Sequence, residues 1–192
     1  MLGLWTDSIV GAGMILLMVG YGENHWLRWR LKPSPITGAA AILVFLGGIV
    51  PPIHFKTASF SVSLLVFGAL VVGLGFWKGE PSWWLWWLSL GAVMTLVRTL
   101  MPMNPHRAQL VGTLGPESLA LGIAGGVLTE DPVAGLMVAM GADILSSVWV
   151  GFMRPGTWQL GGHDLTSALL AALAGYLVGW VGYQWHRWRT TA

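Results

Sequence analysis

Long apolar runs dominate this chain. At 5–22, 36–53, 60–77, 83–101, 110–128, 132–152 and 164–186, stretches of 18 to 23 residues each carry at most one formal charge. A segment of about 20 apolar residues satisfies its backbone polar groups in lipid by becoming a helix. The pattern therefore predicts an all-α bundle of about seven transmembrane helices, forming a single domain over residues 1–192. Only 9% of the residues are charged, against about 25% in a soluble domain. That is too little polar surface to cover a globule, which argues against a water-soluble enzyme. The chain has no cysteine, so disulfides, thiolate metal sites and cysteine nucleophiles are excluded. The net charge of +2 is spread thinly, and no nucleic-acid face is expected.

The breaks between runs carry helix-start chemistry. Ser34-Pro35, Pro81-Ser82 and Thr129-Glu130-Asp131-Pro132 put caps, acids or proline where free N–H groups want an acceptor. No connection is long enough for a separate folded domain, so any chemistry lies within or against the membrane. Met1–Asp7 holds no Lys or Arg. A cleaved signal peptide normally carries such a charge, so the first helix is expected to be retained. With the N-terminus outside, the cytoplasmic segments hold Arg28, Arg30, Lys32, Lys78, Arg187 and Arg189, and the outer loops hold Lys56, Arg107 and Arg154. That bias favours a cytoplasmic C-terminus and a multi-pass protein of a bacterial-type inner membrane. Trp26, Trp29, Trp77, Trp83, Trp84, Trp86, Trp87, Trp185 and Trp188 lie beside the same boundary, where indoles anchor at headgroup level. Gly122 and Gly126, and Gly175 and Gly179, recur four apart and allow close helix approach.

Apart from Asp164 and His186 at the two ends of the last run, four Asp, Glu or Arg residues fall inside the runs: Asp7, Arg98, Glu117 and Asp143. A charge at mid-bilayer costs about 2.5–3.5 kcal/mol on insertion scales, so each is a functional candidate by default. Asp7 lies at a helix end and can be solvated. Arg98 is about 5 Å from the outer end of its helix, within reach of water by snorkelling. Glu117 is about 10 Å deep and Asp143 about 14 Å, near the midplane. Together they describe a polar descent from the outer side. Two readings of Gly115-Pro116-Glu117 stand open: a helix broken at the proline, as in transporters, or a helix beginning there with Glu117 in its first turn. Asp143 reads either as a proton- or cation-binding carboxylate or as a protonated residue bonded to a neighbouring helix. His163 and Asp164, after Gly161-Gly162, are placed to lie over the mouth of such a cavity, or Asp164 simply caps the last helix.

The five histidines are scattered and none has metal-ligand spacing, so no metal and no cofactor are expected. Three stretches bring a family into view: Leu31-Lys32-Pro33-Ser34-Pro35-Ile36 leading to Leu46-Gly47-Gly48-Ile49-Val50-Pro51, Gly141-Ala142-Asp143-Ile144-Leu145, and Leu160-Gly161-Gly162. Their order resembles DUF1614, a family of uncharacterised membrane proteins, over most of the chain at low similarity. Asp143 falls on that family's Gly-Ala-Asp-Leu-Leu motif. The later Gly-Gly-Ala-Gly-Thr-Phe-Asp-Gly motif is half present: Gly161 and Gly162 fit, and either Asp164 or Ser167 stands where the second Asp would be. The resemblance implies no activity.

The reading favoured by these residues is small-solute or ion transport through an outer-side polar cavity built on Arg98, Glu117, Asp143, His163 and Asp164. Its partners would be lipid, a small solute or ion and a second copy of the chain. The alternatives are a non-catalytic membrane scaffold, or an intramembrane aspartyl protease using Asp143 and Asp164. The protease requires two carboxylates about 3 Å apart, and the depths of these two argue against it.

Overall fold

In a computed structural model, the described residues are 53–55, 58–60, 81–100, 116–153, 158–160 and 162–191, with single positions between 62 and 73 and at 12, 32, 35 and 38. The expected spans 5–22 and 36–53 lie almost wholly outside them. Helix dominates: α1 is Pro81–Leu100, α2 Pro116–Thr129, α3 Pro132–Met153 and α4 Gly162–Thr191. The described positions between 62 and 73 are helical too. By length and apolar composition, α3 and the Ser167–Thr190 portion of α4 are each able to cross a membrane.

Strands were not expected, yet three short ones are present. β1 (Ile53–Phe55) and β2 (Ala58–Phe60) form an antiparallel hairpin, and β2 pairs in parallel with β3 (Trp158–Leu160). Two connections read as plain loops thus hydrogen-bond to each other. Three residues per strand are too few for an alternating pattern to show in the sequence.

The helices alternate in direction around α3. Trp87, Gly91 and Arg98 of α1 meet Gly141, Leu145 and Ser146 of α3 in that order, so these two run parallel. Along α4, Ser167 lies against Asp143, Gly175 against Gly135 and Gly179 against Asp131, an antiparallel order. α2 runs with α4, since Gly122 meets Ala171 and Ala174, and Gly126 meets Gly175 and Val178. Adjacent glycines let α2 touch two helices at once: Gly125 faces Ala139 of α3 while Gly126 faces α4. The small-residue spacing read from the sequence is therefore the seam of the bundle. Its tightness is concrete, because a methyl on Gly135 would stand 2.5 Å from the Gly175 carbonyl oxygen.

The corner between α2 and α3 follows its sequence. Glu130 adopts the left-handed conformation (φ 51°) that ends α2 and donates its N–H to the Gly126 carbonyl. Asp131 then caps α3, its Oδ1 accepting from the Val133 and Ala134 N–H groups at 3.0 Å each.

Two of the tryptophans turn inward: Trp83 and Trp87 are buried in one core cluster with Val133, Met137, Met140 and Ala172. The reason is Gly141, whose missing side chain admits the Trp87 indole against α3. At the far end of α4, Trp185 and Trp188 are exposed, and the Arg189 guanidinium lies 5.2 Å from the Trp185 ring centroid.

Gly135→Ala is expected to cost about 1–3 kcal/mol by overpacking against backbone. Gly182→Ala, with no atom nearer than 3.7 Å to the new methyl, should be neutral. Asp131→Ala should cost about 1 kcal/mol through the lost cap. Unfolding of the purified protein in detergent separates the three.

Candidate functional site

The polar site forms where three helix ends meet the middle of a fourth. Arg98 occupies the last turn of α1, Glu117 the first turn of α2, and Ser167 lies five residues into α4. The three side chains gather around Asp143, which stands about 15 Å from either end of α3. Helix ends leave backbone donors and acceptors unpaired, so charge is best tolerated there. An acid at the start of α2 and a base at the end of α1 also match the two helix dipoles.

Arg98 is the hub. Its Nη2 donates to Asp143 Oδ1 at 2.7 Å and to Ser167 Oγ at 3.3 Å. Its Nη1 donates to Ser146 Oγ at 2.7 Å and Ser147 Oγ at 2.8 Å. Its Nε faces Glu117 Oε2 at 3.5 Å. One side chain thus joins α1 to the other three helices. Far from snorkelling outward, it turns into the bundle and is only 16% exposed.

The hydroxyls link the helices. Ser146 donates to the Asp143 carbonyl at 2.8 Å. Ser167 is within donating distance of Asp143 Oδ1 at 3.2 Å and lies 2.5 Å from Ser118 Oγ, a contact in which either hydroxyl can donate. A hydroxyl chain therefore runs from α2 through α4 to the Asp143 carboxylate.

The two acids differ in setting. Asp143 is sealed, with 0% of its side chain exposed, whereas Glu117 is 15% exposed. One oxygen of each acid, Glu117 Oε1 and Asp143 Oδ2, is buried with no hydrogen bond among the described residues, a feature the two share. Pro116 opens α2 and Glu117 falls in its first turn; residues 110–115, where a helix broken at the proline would run, lie outside the described residues.

The structure thus brings Arg98, Glu117 and Asp143 into one cluster. His163 and Asp164 belong to the backbone of the first turn of α4, but their side chains lie outside the described residues. The sequence reading missed Ser118 and gave Ser167 no contact with Asp143; single serines in apolar helices carry no periodic signal, and only the helix register brings these two together. Among the described residues, no three His, Asp or Glu side chains converge to hold a metal. No family model matches the chain, and neither does any curated protein or solved structure.

Removing one partner of a buried ion pair leaves the other uncompensated, at a cost of about 3–5 kcal/mol. Arg98→Met is expected to destabilise by that order, and Arg98→Met with Asp143→Leu to recover part of the loss, Glu117 being left without its cation. A double-mutant cycle in detergent unfolding reads the coupling directly.

Proposed function

We propose that this chain is a multi-pass membrane protein that binds and conducts a small cation or proton at the Arg98–Glu117–Asp143 cluster. The observation that carries the reading is the charge count at mid-bundle: two carboxylates converge on one guanidinium where three helix ends meet the middle of α3. Helix ends aimed at a charged site deep in a bundle are a recurring way to bind ions in membranes. A small anion is disfavoured, because the Nη groups of Arg98 already bind protein acceptors. Exposure falls from Arg98 and Glu117 to the sealed Asp143, the order expected of a descent from one side.

The seven-span arrangement, with the N-terminus outside and the cytoplasmic end of α4 carrying Arg187 and Arg189, is part of the same proposal. Pairing of β2 with β3 supports it, since the two connections involved were both assigned to the outer face.

One observation favours a second reading, a purely structural clamp: Arg98 bonds or pairs with residues on α2, α3 and α4 at once. The protease reading gains no such support. A carboxylate held by a guanidinium at 2.7 Å is poorly suited to share a proton with a second aspartate.

Purified protein in liposomes, with a pH-sensitive dye inside and an imposed gradient, tests the proposal. Protein-loaded vesicles are expected to dissipate a proton or monovalent-cation gradient faster than empty ones, and Glu117→Gln to return the rate to that of empty vesicles. Equal rates for loaded and empty vesicles would leave the clamp in possession of the site.

A further inference from the structure

We propose that the two acids of the cluster are not equivalent: Glu117 is the proton-exchanging carboxylate, and Asp143 is the fixed counter-ion of Arg98. The inference deepens the cation-binding reading and rests on it for its physiological meaning.

Geometry separates the two roles. Asp143 Oδ1 holds Arg98 Nη2 at 2.7 Å and accepts from Ser167 at 3.2 Å, from a fully buried position in the middle of α3. Displacing it would break the closest charge contact of the cluster. Glu117 is held far more loosely. Its ion pair with Arg98 Nε spans 3.5 Å, against 2.7 Å for that of Asp143.

Charge balance points the same way. Arg98 and Asp143 neutralise each other, so Glu117 brings an additional negative charge into a setting of low dielectric. Among the described residues, the charged groups gathered with it are Arg98 from α1, its ion-pair partner, and Asp143 from α3, joined through the same guanidinium. From α4 the described side chain nearest the cluster is Ser167, and the side chains of residues 163 and 164 lie outside the described set. Proton uptake by Glu117 leaves the Arg98–Asp143 pair intact and the cluster neutral. Proton uptake by Asp143 would strip Arg98 of its closest partner. Glu117 also has the access that exchange requires, being partly exposed where Asp143 is sealed.

Dicyclohexylcarbodiimide tests the assignment on the intact wild-type protein in lipid vesicles, whether or not any flux is found. This apolar reagent adds to a protonated carboxyl and rearranges to a stable N-acylurea, which peptide mass spectrometry locates. The expected result is an adduct on Glu117 that declines as pH is raised, with Asp143 unlabelled; Glu117→Gln should abolish labelling of that peptide. An adduct on Asp143, a pH-independent adduct or none on either acid would overturn the proposal. Suppression by sodium or potassium at constant pH would overturn the proton as the ligand. Absence of flux in liposomes, by contrast, would count against transport and leave the labelling result to judge Glu117.

Discussion

A guanidinium inside a helical bundle is tolerated only if its charge and its donors are met, and Arg98 imposes that condition on every helix around it. Gly91 is already level with Ala142 and Leu145, so the Arg98 side chain reaches back from the last turn of α1 to the middle of α3. The Asp143 carboxylate and the Ser146 and Ser147 hydroxyls must then face α1 together. Residues 143, 146 and 147 lie three and four apart, one face of a helix. Ser167 and Glu117 complete the shell from the two remaining helices. Desolvation makes such an ion pair a weak source of net stability. Its stronger consequence is positional, because few other arrangements of four helices satisfy the same donors.

The glycine seam makes that shell attainable. Hydroxyls of Ser118 and Ser167 approach to 2.5 Å only because the backbones of α2 and α4 are already close, through Gly122, Gly126, Gly175 and Gly179. Association of helices in lipid relies on close packing and interhelical hydrogen bonds, since tails and side chains are equally apolar. The two features reinforce each other: small residues bring the polar groups within range, and the polar groups fix the register along which the small residues pack. Asp131, capping α3 directly after α2, sets where that register begins.

Much of this was legible in the residues themselves. The Asp131-Pro132 pair marked the start of α3 because capping is a local interaction that needs no partner helix. The four-residue glycine spacing marked the seam, and the rarity of charge in the runs singled out Arg98, Glu117 and Asp143. What remained hidden depends on distant partners. The run at 110–128 is apolar through Pro116, so hydropathy gave no sign of where α2 begins. Trp83 and Trp87, four apart, share one face, but only the hole at Gly141 makes that face internal. Depth counted along a helix axis also set Arg98 well above Asp143, because it ignored the length of the arginine side chain, which closes that gap.

The second acid is what separates a site from a clamp. One carboxylate neutralises one guanidinium, and the Arg98–Asp143 pair with its serine hydroxyls already joins α1, α3 and α4. Glu117 adds a second negative charge through a 3.5 Å contact, a looser hold than the 2.7 Å one of Asp143. A structural role for α2 at this point is already met by the Ser118–Ser167 contact one residue further on. Glu117, more loosely held and partly exposed where Asp143 is sealed, is thus the acid on which the proposed cation-binding role falls.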